Sequence, residues 1–174
     1  MALTGKTNEE KIWNFLYSKI KNNYAVAGIM GNLYCESGLI PNQVEYLCLQ
    51  RLKENGYAYT SESYTKAVDS GAISKAKFLN PLPGKVYGYS ICQWTSINRK
   101  SKLYDRAKSK GVSIGDLENA LEFLYEELTT TYKSVLTSLQ KASSVKEASD
   151  VFLKKFECPA DTGSAMQIYR ANCG

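Results

Sequence analysis

Apolar positions recur at helical spacing near both ends of this 174-residue chain and lose their period in between. Ile12, Phe15, Leu16 and Ile20 share one face, and Thr7 followed by Glu10 reads as a capping box opening that helix. A second helix is predicted from about Asn23 to Glu36, with Val26, Ile29, Met30 and Leu33 on its stripe. Gly38 suits the left-handed residue that ends helices, and Pro41 forbids resumption. Towards the C-terminus, Leu103 and Ala107 lie in a basic helix closed by Gly111, and Asp116 caps a segment carrying Leu117, Leu121, Leu124 and Leu128. Ser144 with Glu147 forms another capping box ahead of Ala148, Phe152 and Phe156.

Residues 37–86 carry little periodicity and read as a long irregular insertion with one short helix near Glu62 to Ser70. A loop of that length in a compact domain is uncommon and often functional. Beyond the Pro81-Leu82-Pro83-Gly84 turn, Tyr87 to Thr95 alternates around Gly88 and reads as a short strand or hairpin arm. The expected fold class is α+β, mostly α: a helical bundle with a small β-hairpin or sheet beside a cleft. The length suits one domain, residues 1–174, and is short for two.

Composition narrows the chemistry sharply, because the chain has no histidine. Ser-His-Asp and Cys-His nucleophilic sites are excluded, and so are His-based zinc sites. The five cysteines, Cys35, Cys48, Cys92, Cys158 and Cys173, form no Cys-x-x-Cys pair, so neither a metal nor a cofactor is expected. Cys158 with Cys173, or Cys35 or Cys48 with Cys92, are conceivable bridges, and unpaired buried thiols are the plainer alternative. Hydrolysis by carboxylates remains, which points to glycosidases.

The net charge of +5 is spread along the chain with only short clusters such as Arg99-Lys100-Ser101-Lys102, which argues against a nucleic-acid partner. It suits an anionic polymer such as bacterial cell wall, and equally a solvated basic surface. Thirteen tyrosines offer flat faces for sugar stacking or for the core. No apolar run approaches a membrane span, and Met1 to Lys6 lacks a secretory core, so no membrane insertion is expected.

Within Gly31-Asn32-Leu33-Tyr34-Cys35-Glu36-Ser37-Gly38, Glu36 falls at the edge of the buried helical face. Partial desolvation and the helix C-terminus both favour a protonated carboxyl, the state a general acid needs. Tyr87, Tyr89, Gln93 and Trp94 would supply an aromatic and amide surface facing it. For a second catalytic group Asp69 is favoured, with Glu62, Glu45 and Glu54 as alternatives, and a lone acid assisted by the substrate's own acetamido group is a further route.

Glu36-Ser37 after a helix, followed by a Gly-x-x-x-x-Gln segment, resembles the lysozyme-like superfamily, including goose-type lysozymes and lytic transglycosylases. The fuller pattern is most similar to phage tail lysozymes: Tyr24 to Leu33, Glu36-Ser37-Gly38-Leu39, Tyr64-Thr65-x-Ala67-Val68-Asp69, Tyr87-Gly88, Gln93-Trp94-Thr95, Ala107 to Gly111, Leu121 to Leu124, then Glu157 with Pro159-Ala160. That resemblance implies a peptidoglycan-cleaving enzyme on a virion tail or outside the cell, with other tail proteins as partners, and the ending at Cys173-Gly174 is compatible with a domain excised from a longer tail protein. It implies Glu36 as the acid at the muramic acid–glucosamine bond, and Ser37, Tyr87, Tyr89, Gln93 and Trp94 along the saccharide groove. Ser90 and Cys92 stand where smaller apolar residues are expected. The rival readings are a lytic transglycosylase or glucosaminidase, a silent wall-binding module and a structural tail protein.

Overall fold

The computed structural model describes residues 2–157 and 163–174, which are mostly helical. It divides into two compact units, Met1–Leu39 with Leu121–Gly174, and Ile40–Ala120.

The first unit is built around one helix. α1 (Asn8–Ile20) and α2 (Asn23–Ser37) are joined by a left-handed Lys21 with φ 60° and by Asn22, whose side chain caps α2 at Ala25 N. α7 (Leu117–Thr129) brings the chain back into this unit, followed by α8 (Lys133–Gln140), α9 (Val145–Phe152), a π-helical turn at Leu153–Glu157 and α10 (Ser164–Asn172). α2 packs against α1, α8, α9 and α10. It buries Ala25, Val26, Gly28, Ile29, Gly31, Asn32 and Leu33, which is most of its circumference.

Two glycines permit that central position. A Cβ on Gly28 would collide with Ser149 N of α9, and one on Gly31 with the backbone of Arg170 and Gly174. Buried Asn32 donates to Gly28 O (2.8 Å) and to Ser149 O and Oγ (3.2 and 3.0 Å), tying α2 to α9 at a place apolar packing alone leaves undirected. Ile12, Leu16 and Ile20 of α1, Phe152 of α9 and Phe156 of the π turn complete the core, the two phenyl rings stacking at 4.6 Å.

The expected helix starts at Thr7 and Ser144 form, with one difference. Each hydroxyl accepts from the backbone N–H three residues on, while Glu10 and Glu147 reach back to Lys6 N and Ser143 N, one residue before the cap. Gly38 and Gly111 take the left-handed conformation at φ 63° and 67°.

The second unit corrects the reading of residues 37–86 as irregular. It holds α3 (Tyr46–Glu54), α4 (Ser61–Asp69) and α5 (Lys75–Leu79), followed by α6 (Ile97–Lys110). These helices have short apolar faces of one to three buried residues, such as Cys48 and Leu52 on α3 and Phe78 on α5. So few apolar positions give no visible period.

The expected β-hairpin or sheet is also corrected, because the described residues contain isolated bridges only. Tyr89 is bridged to Val44 on one side and to Trp94 on the other, and Leu82 to Lys85. Ser90 and Gln93, at φ 73° and 46°, turn the chain at once after Tyr89, and α3 begins two residues after Val44, so no ladder extends.

Candidate active site

Glu36 lies in the last turn of α2, with its side chain 20% exposed. It is not an isolated acid on an apolar edge. Arg170 of α10 donates from Nη2 to Glu36 Oε1 at 2.5 Å and from Nη1 to Glu157 Oε2 at 2.5 Å, and its Nη1 also reaches Asn32 Oδ1 at 3.3 Å. The guanidinium is 8% exposed and Glu157 4% exposed, so this is a largely desolvated carboxylate–guanidinium–carboxylate array. Both carboxylates hold Arg170 above its ordinary range against the opposing effect of burial.

Periodicity gave no signal for this array, whose members lie 134 and 13 residues apart. In sequence Glu157 stands only within the family pattern, and Arg170 belongs to no motif. The signal available was a basic residue on a C-terminal amphipathic helix, which is ordinary.

Ser37 is buried, and its hydroxyl donates to Leu33 O at 3.0 Å, the back-bond that a helical serine commonly makes. Two α2 and α10 tyrosines in this unit, Tyr34 and Tyr169, are half exposed at 52% and 57%.

The other expected site residues belong to the second unit. Tyr87, Tyr89 and Trp94 are buried at 3%, 1% and 1%, so their rings are packing surfaces and not faces open to a sugar. The Tyr89 hydroxyl pairs with Thr65 Oγ1 at 2.7 Å, and Tyr87 accepts from Arg51 Nη1 at 2.9 Å. Gln93 is half-buried, and its Nε2 donates to Gln43 O and Ser90 O at 3.0 and 2.9 Å, which closes the turn it stands in.

Asp69 carries a similar structural load. Its carboxylate accepts from Ser113 Oγ at 2.5 Å and from Ile114 N at 2.9 Å, with Lys108 Nζ 4.0 Å away, so it pins the loop between α6 and α7 to the end of α4. Of the alternatives, Glu62 pairs with Lys66 at 2.7 Å on an exposed face, and Glu45 accepts from Gly88 N at 2.7 Å.

The largest surprise is Lys100. In sequence it belongs to a basic run that reads as solvated surface, yet it is 2% exposed. Its ammonium donates to Phe78 O (2.9 Å) and Tyr87 O (3.0 Å) and lies 4.5 Å from the Phe78 ring centroid. Burial pushes it down to about 8, with Cys48 and Glu45 pulling the other way. This unit also holds a pocket of about 520 Å³ lined by Tyr57, Tyr59, Tyr64, Ile73, Lys77 and Pro81 among others.

Cys35, Cys48, Cys92 and Cys173 stand as thiols, and the conceivable bridge from Cys35 or Cys48 to Cys92 does not form. Cys173 faces Cys35, while Cys158 lies outside the described residues, as do Pro159 and Ala160 of the family pattern.

A mostly helical chain with a partly buried glutamate at the end of its central helix is consistent with a lysozyme-like fold. The chain belongs to the phage tail lysozyme family, which it matches over residues 7–172. Its role is therefore lysozyme-like and peptidoglycan-degrading, exerted at the cell wall from the virion or outside the cell. No curated protein matches it. No helix among the described residues is long and apolar enough to cross a membrane.

Proposed function

We propose that this protein is an N-acetylmuramidase of a phage tail or a related element, in which Glu36 is the general acid. The observation that carries the proposal is the placement of Glu36: last turn of the buried central helix, one carboxyl edge open, the other held by Arg170. A glycosidic oxygen leaves readily only when it is protonated as the bond breaks, and a fixed carboxyl within reach of it supplies that proton. Arg170 is shared between Glu36 and Glu157, so Glu36 does not have the guanidinium to itself.

Asp69 is assigned to structure and not to chemistry, since both its oxygens are occupied by the 113–115 loop. This favours a lone acid with the substrate's acetamido group assisting, or with water attacking directly. Sugar stacking falls to open aromatic faces such as Tyr34 and Tyr169.

The test is digestion of purified Gram-positive peptidoglycan by the wild-type protein and Glu36→Gln, with fragments reduced by borohydride and identified by mass spectrometry. Reducible muramic acid ends from the wild type, lowered by at least about 100-fold in Glu36→Gln with an unchanged circular dichroism spectrum, are the expected result. Anhydromuramic ends would make it a lytic transglycosylase, and reducible glucosamine ends a glucosaminidase. Undiminished cleavage by Glu36→Gln would sink the assignment of the acid, and pull-down of the wall without cleavage would leave a binding module.

A further inference from the structure

We infer that Cys35 and Cys173 are a built site for a disulfide that fastens the C-terminal helix α10 to the central helix α2. The inference stands on the thiol geometry and is independent of the enzymatic reading. The two sulfurs face each other at 3.5 Å although 138 residues separate them in sequence. Neither residue is fully buried, so a small oxidant has access.

The backbone around the pair is held as a cross-link requires. At Gly31, one helical turn before Cys35, α2 has no Cβ and admits the backbone of Arg170 and Gly174. Gly174 in turn lies against Ala27 O, where any side chain would collide. Cys173 is thus placed by backbone contact on both sides of it, with its sulfur already against that of Cys35.

The same bond would hold Arg170, one turn before Cys173, beside Glu36, the neighbour of Cys35. Ionic contact at this place depends on α10 remaining docked. A covalent tie removes that dependence.

The chemistry is thiol–disulfide exchange with a small-molecule disulfide such as oxidised glutathione. One protein thiolate attacks the glutathione disulfide, forming a mixed disulfide and releasing one glutathione thiol. The second protein thiolate displaces the other glutathione, so two protons and two electrons leave the protein and two glutathione thiols form. Burial, then the adjacent Cys173 thiol, push Cys35 up to about 12, which keeps its thiolate fraction low, and the proximity of the two sulfurs offsets this in the intramolecular step.

The full chain is incubated with oxidised glutathione, quenched by alkylation and digested without reduction, alongside Cys35→Ser and Cys173→Ser. The expected result is a loss of two hydrogen masses, a cross-linked peptide joining Cys35 to Cys173, and a Tm raised on the order of 10 °C in the oxidised wild type alone. A Cys158–Cys173 link, or no intramolecular link at equilibrium with excess oxidant, overturns the inference. A Cys35–Cys173 link with no rise in Tm overturns the fastening role.

Discussion

The two units hold themselves together by different means. In the first, a central helix is surrounded by others whose apolar faces meet it, and polar contacts such as Asn32 to Ser149 add direction to packing that is already extensive. In the second, helices with one to three buried residues are joined by side chains that reach the backbone of distant segments: Lys100 to Phe78 and Tyr87, Asp69 to Ile114, Gln93 to Gln43. Stability drawn from many weak apolar contacts is spread over residues, whereas stability drawn from buried polar anchors is concentrated in a few. The first kind tolerates single losses better.

The sharpest way to break this comparison is Lys100→Ala, which leaves two buried carbonyls without their donor and opens a cavity. A loss of roughly 3–5 kcal/mol is expected, with hydrogen-exchange protection falling across residues 46–94 first. If α2 amides lost protection equally, the difference between the units would be an illusion.

The pH dependence of stability tests the same anchor. Lys100 has a folded value near 8 and an unfolded value near 10.5, so between these the unfolded chain binds more protons and stability rises with pH. Below about 8 the buried ammonium must stay charged and the contribution is absent. Urea unfolding should show a gain of about 3 kcal/mol from pH 8 to 10.5, after the tyrosine contribution is subtracted, and Lys100→Met should flatten it.

Asp69→Ala should cost about 2–3 kcal/mol through loss of hydrogen bonds to an ionised acceptor, measured by urea unfolding. Asp69→Asn sharpens the point. It should retain glycan cleavage, and a loss of cleavage with the fold intact would restore Asp69 as the second catalytic group.

The smallest effect belongs to the first unit. Thr7→Ala removes the cap on Glu10 N and should cost about 1 kcal/mol in thermal unfolding, with the rest of the helical packing unaffected.

Legibility followed the same division. α2 was readable to within a residue of its end, because Val26, Ile29 and Leu33 repeat at helical spacing and Gly38 stops them. α3 and α5 were not, since a helix that buries two residues or one leaves no period to detect. Tyr89 and Trp94 alternate as a strand would, and the left-handed Ser90 and Gln93 cut that strand to a single bridge.

By itself the sequence determined the helical ends of the chain, their caps, the exclusion of histidine chemistry, the prominence of Glu36 and the family pattern. All of these depend on residues close together in the chain or on composition. The tertiary structure alone decided that Arg170 and Glu157 meet Glu36, that Cys173 meets Cys35, and that Lys100 is buried while Tyr89 and Trp94 are hidden. Those facts depend on which distant backbones approach, and approach is set by close contacts such as that at Gly31, which no local spacing encodes.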